Sequence, residues 1–455
     1  MSRVALIGDN SIEYVKKIIE IWNNGDCVVL IDWRIPHNKA IQMMKEAKVV
    51  KCYIEYRLIE RIGEINYSEN IEYVMYESFN QKNEFIPQYI YDEYKDNYSK
   101  EEAVILYSSG TTGKAKGIIL SHYAISKNAD LIAKYMELSC DDCMYIVKTL
   151  SHSSTLVGEL LVGLKEKIRI FISPSICNPR ETLKKVNEYG VTHICVNPTL
   201  LSVYSTVVSQ NDMDFDSLKV IYTSGAIADT LLINKAQSIF PNVKVLNVYG
   251  LTEAGPRISA QMPKEKNVVG SVGKGLTGIG IKIISSDGVI LPPMEKGNIH
   301  IKTPCLFSGY VTFNEVRQTL YEGWFNTGDI GFIDKEGNLY ITGRSDNMGT
   351  IGSHNVYPEE VEKVIMQVEG IKECIVLFLK DNIQGNKMYC YYVADVDISM
   401  QLLDYCIENL ASYEMPSKFI RLKSIPLTDN GKKVRDIKRY PKEIIHEGEG
   451  IEGKE

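Results

Sequence analysis

Long hydrophobic stretches are missing from this sequence of 455 residues. Near the N-terminus, only Val4–Ile7 form an unbroken apolar run before Gly8 and Asp9. A secretory signal needs a longer apolar run, and a membrane-spanning helix needs about 20 apolar residues. We therefore expect neither feature, and we expect a cytoplasmic location.

A pattern of closely spaced cysteines and a surplus of basic charge are also absent. The ten cysteines are scattered, and the close pair Cys140 and Cys143 has no second pair or histidine cluster nearby. This spacing predicts neither a disulfide framework nor a zinc site, and it favours the buried thiols of a cytosolic protein. The net charge of −7, from 51 basic and 58 acidic residues, gives no broad basic field for nucleic acid or an anionic membrane. Any phosphate site must therefore be local.

The alternation of residue types predicts the fold class. Short β-branched runs such as Val4–Ile7 and Val243–Val248 alternate with helical patterns, which is typical of α/β units around a largely parallel sheet. After about residue 265, glycine, proline and short alternating strands indicate a small β-rich subdomain. A chain of this length exceeds one ordinary core. We expect a large N-terminal α/β domain over residues 1–344, with its β-rich part at about 265–344, and a small mobile α+β C-terminal domain over 345–455.

A loop rich in glycine, hydroxyl groups and lysine follows an apolar strand. Ala103–Leu106 runs into Tyr107-Ser-Ser-Gly-Thr-Thr-Gly-Lys-Ala-Lys-Gly117, and a helical pattern follows. Glycines let the backbone present N–H groups to a polyanion, hydroxyls add neutral donors, and lysines add mobile positive charge. The composition predicts a phosphate-binding loop that differs from the Walker pattern, because no Gly-Lys-Ser/Thr ends it. Taken alone, the same loop is equally compatible with a surface turn.

The loop does not stand alone, because several segments resemble one family. Tyr107–Gly117 resembles the signature loop of the adenylate-forming superfamily, which includes acyl- and aryl-CoA synthetases, adenylation domains of peptide synthetases, and luciferases. Further resemblances follow in order along the chain, at Asn247–Glu253, Trp324–Asp329, Gly343–Asp346 with Val356–Glu362, and Pro426–Lys432 with Arg435. Together they cover nearly the whole chain. In character it is similar to aryl- or acyl-acid CoA ligases and to stand-alone adenylation enzymes.

The resemblance implies a reaction in two steps. A small carboxylic acid would attack the α-phosphorus of ATP, releasing pyrophosphate and forming an acyl-adenylate. The acyl group would then pass to a thiol, either of CoA or of the phosphopantetheine arm of a carrier protein. ATP and Mg²⁺ are the expected cofactors. Because the first step joins two anions, the site must neutralise negative charge.

Family motifs assign the nucleotide to several groups of residues. The residues assigned to the β- and γ-phosphates are Ser108, Ser109, Gly110, Thr111, Thr112, Gly113, Lys114 and Lys116. The residues assigned to adenine are Gly225, Ala226, Ile227, Asn247 and Tyr249.

The same resemblance gives four residues catalytic roles. Thr252 would donate to the α-phosphate, and Glu253 would bind Mg²⁺, a hard cation suited to carboxylate oxygen. Arg344 would add a fixed charge to the ribose–phosphate region, where Asp329 would accept hydrogen bonds from the ribose hydroxyls. Lys432 would bridge the carboxylate and the α-phosphate.

A hinge is expected at Asp346, because rotation of the C-terminal domain about it would withdraw the lysine loop before thiolation.

The expected acyl pocket consists of His152, Ser153, Ser224, Gly250 and Leu251. Amino-acid-activating relatives carry an aspartate where Ser153 aligns, and that aspartate pairs with the substrate ammonium. The serine therefore favours an aryl or alkyl acid over an amino acid. His152 is also compatible with a hydrogen-bonded core histidine.

Departures from the family pattern leave the acceptor and the activity open. Thr350 and Ser353 stand where relatives commonly have lysine and glycine on the thiolation face. Relatives also usually have several dozen residues before the segment that resembles Arg3–Ile7, so an N-terminal hairpin or helix is expected to be absent. The alternatives are a stand-alone adenylation enzyme that serves a carrier protein and activates an amino acid, a non-catalytic nucleotide-binding relative, and a kinase that releases ADP.

Overall fold

The computed structural model describes most of the chain as two compact units. The described residues are 1–58, 70–78, 84–109, 115–211, 213, 215–226, 228, 230–312, 320–351, 354–381, 385–428 and 432–441. The first unit consists of Met1–Glu295, Ile299–Thr327 and Ile333–Tyr340. The second unit consists of Lys296–Asn298, Gly328–Phe332 and Ile341–Glu455. The division at residues 344 and 345 stays a prediction.

The first unit contains a seven-stranded sheet built around parallel strands. Across the sheet the strands are Gly309–Tyr310, Ala115–Ser121, Glu102–Ser109, Cys27–Asp32, Arg3–Gly8, Lys51–Glu55 and Glu72–Tyr76. The central pair runs parallel in the register Arg3 to Cys27, whereas the strand that follows the glycine-rich loop is antiparallel to Glu102–Ser109. The central strands are rich in valine and isoleucine, as expected for strands buried on both faces.

A second sheet of eight strands carries the candidate site. Across it the strands are Lys274–Gly275, Arg257–Ala260, Lys244–Gly250, Val220–Thr223, His193–Val196, Cys143–Ile146, Arg169–Ile172 and Glu84–Phe85. The five strands from Lys244–Gly250 to Arg169–Ile172 pair in parallel, and Arg257–Ala260 returns antiparallel to its neighbour. The parallel strands therefore share one carboxyl edge.

Helices separate the strands of these sheets, which confirms the α/β fold class. The α-helices described in the first unit are Ile12–Asn23, His37–Glu46, Gln88–Glu93, His122–Met136, Ser153–Thr155, Val162–Glu166, Pro179–Glu188, Pro198–Asn211 and Thr230–Ile239. A π-helix spans Leu156–Leu161, and 3₁₀ turns span Tyr56–Leu58 and Thr252–Ala254. The helix at His122–Met136 begins where Ser121 accepts a hydrogen bond from the Ala124 N–H, a typical N-cap.

Each large sheet has its own apolar core. Val29, Met44 and Ile105 belong to the cluster on the first sheet. Phe171 and Val245 belong to the cluster on the second sheet. Burial of such side chains contributes on the order of 2 kcal/mol each to folding.

The remaining strands form three smaller sheets. One contains Gly280–Ile284, Gly297–Lys302, Trp324–Ile333, Leu320–Tyr321 and Leu339–Arg344, as expected for the β-rich region. The second unit contains the hairpin Gly349–Ile351 with His354–Val356 and the sheet of Ile371–Asp381, Gly385–Ala394 and Lys418–Leu422.

Two α-helices described in the second unit are Pro358–Ile365 and Ser399–Asn409, and its 3₁₀ turns are Ser345–Asn347, Ser412–Glu414 and Ile437–Arg439. The second unit has its own core, which includes Val361, Cys390 and Leu402. Across the described parts of the chain, no helix combines the length and apolar character needed to cross a membrane.

Candidate active site

A tight turn at the carboxyl edge of the second sheet presents Thr252 and Glu253. Gly250 ends the strand, and a Cβ atom there would lie 1.8 Å from the Pro256 carbonyl oxygen, so only glycine permits this backbone approach. Leu251, which is half-buried, leads directly into the 3₁₀ turn Thr252–Ala254. In open α/β sheets this edge is where ligands bind.

Asn128 holds the turn in place from the neighbouring helix. Its amide nitrogen donates to the Arg257 carbonyl at 2.9 Å, and its amide oxygen accepts from the Arg257 N–H at 2.9 Å. The same amide nitrogen reaches the Ala254 carbonyl at 3.4 Å. Asn128 is fully buried. Asn128 was not predicted from the sequence, where its only signal is a polar side chain beside the apolar face of a helix.

Thr252 meets a residue of the expected acyl pocket. Its Oγ1 lies 2.9 Å from Oγ of Ser153. Ser153 is buried and begins the short helix that continues into the π-helix Leu156–Leu161. His152 is half-buried directly before it, and its carbonyl accepts hydrogen bonds from the N–H groups of Thr155 and Leu156. The structure therefore brings an expected phosphate-side residue and an expected pocket residue into contact.

Glu253 and the expected phosphate lysine Lys116 both approach Tyr310. The Tyr310 hydroxyl donates to Oε1 of Glu253 at 3.0 Å, and Nζ of Lys116 lies 5.7 Å from the centroid of the Tyr310 ring. The Glu253 carbonyl accepts a hydrogen bond from the Phe307 N–H at 2.9 Å. Tyr310 was not predicted, because nothing in its local sequence marks it as a partner of Glu253.

The carboxylate of Glu253 offers oxygen ligands of the kind that Mg²⁺ prefers. Among the described residues, no group of three or more histidine, cysteine, aspartate or glutamate side chains could hold a metal ion. A single carboxylate suits Mg²⁺, which commonly takes its other oxygen ligands from nucleotide phosphates and water.

The expected adenine residues lie at the same sheet edge. Asn247 is in register with Thr223 on the adjacent parallel strand, and Ser224, Gly225 and Ala226 follow directly. Gly225 has a φ of +92° with open space around its α-carbon. Asn247 and Ser224 are buried, Tyr249 is half-buried, and Gly225, Ala226 and Gly250 are exposed.

Part of the predicted site lies outside the described residues. These positions are Ile227, Ser353 and the loop residues Gly110, Thr111, Thr112, Gly113 and Lys114. Ser108 and Ser109 end the strand that precedes the loop, and only their backbone is described.

Asp329 and Arg344 are paired within the second unit. Nη1 of Arg344 donates to Oδ1 of Asp329 at 3.0 Å, and Nη2 donates to Oδ2 of Asp346 at 3.3 Å. Asp329 is only 7% exposed. Burial lowers the pKa of Arg344, but attraction to Asp329 and Asp346 outweighs it, so the pKa is raised overall. The guanidinium therefore stays charged beside a carboxylate that can accept hydroxyl donors.

Lys432 is exposed in the second unit, and its backbone is hydrogen-bonded to Thr428. Its N–H donates to Oγ1 of Thr428 at 3.2 Å, and its carbonyl accepts from the Thr428 N–H at 2.7 Å. Nearby, Arg435 donates to Oε2 of Glu362 at 2.8 Å and to the Val376 carbonyl at 3.2 Å. These contacts anchor Arg435 to the body of the second unit.

Comparisons with known proteins show the family of this chain. The family model described as AMP-binding enzyme matches residues 1–311, and the model described as AMP-binding enzyme C-terminal domain matches residues 360–432. The 2-succinylbenzoate–CoA ligase of Bacillus mycoides (strain KBAB4) is 27% identical over 443 residues, covering 95% of this chain and 87% of the relative.

Solved structures show the same fold. ATP-bound MatB from Rhodopseudomonas palustris matches with a TM-score of 0.85 at 22% identity, covering 96% of this chain and 88% of that chain. The o-succinylbenzoate CoA synthetase from Bacillus subtilis, in complex with its acyl-adenylate intermediate, matches with a TM-score of 0.82 at 23% identity, covering 98% and 89%. The predicted superfamily and fold class are confirmed, and the chain belongs to the AMP-binding enzyme family.

Proposed function

We propose that this protein is an AMP-forming acid–thiol ligase that activates a small carboxylic acid with ATP and transfers the acyl group to CoA. The contact between Ser153 and Thr252 carries the proposal. It brings the end of the expected acyl pocket against the turn that carries Glu253, so a carboxylate bound there would lie beside groups suited to a phosphate and its metal ion. Membership of the AMP-binding enzyme family supports the same reaction.

The residues of the first unit suit the displacement at the α-phosphorus. Thr252 donates to the α-phosphate. Lys116, which lies over the Tyr310 ring, neutralises charge on the phosphates. Mg²⁺, when bound through Glu253, would neutralise further charge on the phosphate oxygens. In the second unit, Asp329 accepts from the ribose hydroxyls while Arg344 holds it in place. Lys432 supplies the mobile cation of the adenylation step.

The acid is proposed to be an aryl or alkyl acid. Ser153 offers a neutral hydroxyl and no carboxylate to pair with the ammonium group of an amino acid. Relatives named 2-succinylbenzoate–CoA ligases support an aryl acid and CoA. We also propose a cytoplasmic location, which is supported by ten cysteines that form no disulfide bond among them.

Acid-dependent exchange of labelled pyrophosphate into ATP tests the adenylation step. We expect exchange with aryl or alkyl acids, formation of AMP instead of ADP, and CoA thioester once CoA is added. Glu253→Gln should abolish exchange, whereas Glu265→Gln, the same change at an exposed position, should leave it intact. Absence of exchange with every acid, from a folded sample that binds ATP, would instead support the non-catalytic relative.

A further inference from the structure

A group of buried charges lies along the helical segment that begins at Ser153. Glu159 is fully buried in the π-helix Leu156–Leu161, and Nζ of Lys148 lies 3.0 Å from its Oε1. Neither oxygen of Glu159 accepts a well-directed hydrogen bond in the described structure. Arg257 approaches the same segment, because its Nη2 lies 3.1 Å from the position that a Cβ atom on Gly158 would take.

Arg257 is the unusual member of this group. It is 3% exposed, and Asn128 fixes its backbone through two hydrogen bonds of 2.9 Å. Within the described part of the chain, its guanidinium donates no hydrogen bond. A buried guanidinium with five N–H donors is costly unless a partner accepts from it. The position therefore calls for an acceptor that the described residues do not supply.

The charges in the group do not balance. Two cations, Lys148 and Arg257, face the single carboxylate of Glu159. Burial raises the pKa of Glu159, although Lys148 and Arg257 partly lower it, and protonation of Glu159 would increase the positive excess. Excess charge in a low-dielectric interior is stabilised by a counter-ion of opposite sign. The missing partner is therefore an anion.

Neighbouring hydroxyl groups also lack partners. The hydroxyls of Tyr135 and Tyr222 are buried, and neither has a hydrogen-bond partner in the described structure. The two tyrosine rings meet edge to face at 5.8 Å, and the charge of Arg257 acts on both phenol groups. A polar group bound beside Arg257 would find further hydrogen-bond donors here.

The group is at a suitable distance from the reacting end of the expected pocket. Ser153 touches Thr252, and Gly158 is five residues further along the same helical segment. An α-helix rises about 1.5 Å per residue and the wider π-helix rises less, so the two positions are separated by at most roughly 7 Å along the segment. A short acid could therefore present one carboxylate near Thr252 and a second anionic group near Arg257.

We propose that Arg257 binds a second carboxylate on the acid substrate, so that the substrate class is a short dicarboxylic acid, aliphatic or aryl. This proposal rests on the proposed acid activation. A carboxylate matches the planar fork of a guanidinium through two parallel hydrogen bonds and neutralises the buried excess charge. Arg257 is thus a specificity-determining residue, and the bond-making atoms lie at the Thr252 end of the pocket.

Pairs of acids that differ in one carboxylate test the proposal in the wild-type protein. Adipate is compared with hexanoate, and 2-succinylbenzoate with 3-benzoylpropionate, which lacks the ring carboxylate. We expect pyrophosphate exchange to favour at least one diacid over its partner by about 10- to 100-fold in kcat/KM. Preference for the monoacid in both pairs, or for amino acids, would overturn the proposal.

Variants of Arg257 then test whether this residue causes the preference for a diacid. Arg257→Gln should abolish the discrimination, mainly by raising KM for the diacid to the level of the monoacid. Arg257→Lys should retain part of the preference, because it keeps the charge but not the fork. Arg180→Gln removes the same group from an exposed helix position and should change nothing. Undiminished discrimination in folded Arg257→Gln would contradict the assignment.

Calorimetric binding of the diacids separates this proposal from the proposed function. If no acid supports exchange, the proposed activity fails, but binding of a diacid by the wild type and not by Arg257→Gln would still support the anion site. Equal binding of diacid and monoacid would overturn it. If Arg257→Gln does not fold, as judged by circular dichroism, the wild-type comparison of paired acids decides.

Discussion

Ser153 Oγ and Thr252 Oγ1 lie 2.9 Å apart, although 99 positions separate the two residues in the chain. The contact joins the start of a helix to the 3₁₀ turn that follows a parallel strand. One hydroxyl donates to the other, and the hydroxyl that accepts can still donate to a reacting carboxylate or phosphate. Their proximity means that the two side chains should not act independently.

Removal of the Thr252 hydroxyl should slow adenylation strongly. We expect Thr252→Val to lower kcat for acyl-adenylate formation about 100-fold, because a donor to the charge that develops on the phosphate is lost. Thr252→Ser keeps the hydroxyl and should stay within a few fold of the wild type. Rates are measured by pyrophosphate exchange.

Ser153→Ala should cost less, about 10-fold, because its hydroxyl mainly orients Thr252. The double variant with Thr252→Val should be no slower than Thr252→Val alone, since groups in contact are not additive. Strictly additive losses would show that the two hydroxyls work separately.

Lys432 should matter for only one half of the reaction. We expect Lys432→Ala to reduce adenylation to near the detection limit, because the cation proposed to bridge carboxylate and α-phosphate is lost. Transfer from a supplied acyl-adenylate to CoA should remain measurable. Lys438→Ala, also exposed near the C-terminus, should leave both half-reactions unchanged. Equal loss in both half-reactions of the Lys432 variant would contradict this role.

Contiguous motifs were predictable from the sequence, whereas partners contributed by distant segments were not. Thr252 and Glu253 follow a β-branched run, predicted as Val243–Val248 and found as the strand Lys244–Gly250, because local pattern and motif coincide there. Tyr310 is 57 positions from Glu253, and Asn128 is 129 positions from Arg257. No local periodicity encodes such pairs, since the fold alone brings them together.

The burial of Glu159 was predictable from the sequence, but its partners were not. It interrupts the apolar run Leu156–Val162, and an acid in such a run is a readable sign of a buried charge. The sequence does not reveal that Lys148 and Arg257 are its neighbours, because Arg257 is brought there by a different strand.

Asp346 should control the passage from adenylation to thiol transfer. It lies in the 3₁₀ turn Ser345–Asn347, and its side chain is about half exposed. Proline fixes φ near −65°, so we expect Asp346→Pro to slow thiol transfer at least 10-fold more than adenylation. Asp346→Ala removes the carboxylate without fixing φ and should have a smaller effect on the ratio. Single-turnover assays of the two steps measure the ratio of the thiol-transfer rate to the adenylation rate. An unchanged ratio in the proline variant would argue against rotation of the C-terminal domain.

His193 should make the first unit less stable in mild acid. The ring is 4% exposed, stacks on Tyr222 at 6.2 Å, and has Nδ1 2.8 Å from Oγ1 of Thr192. Burial lowers the pKa of His193 from 6.5 to about 4, although Asp142 opposes this shift. Folded His193 is therefore neutral at pH 5, whereas the unfolded chain is protonated there.

Because the unfolded state binds the extra proton, stability is full above pH 6.5 and falls as the pH drops toward 4. Between pH 7.5 and pH 5 we expect His193 to contribute a loss of about 2 kcal/mol in the free energy of unfolding. Tryptophan fluorescence during urea unfolding reports it, because Trp22, Trp33 and Trp324 all belong to the first unit. His193→Asn removes the titrating group. Between pH 7.5 and pH 5, the free energy of unfolding of this variant should therefore fall by about 2 kcal/mol less than that of the wild type. The same pH-dependent loss in both proteins would show that His193 titrates normally in the folded state.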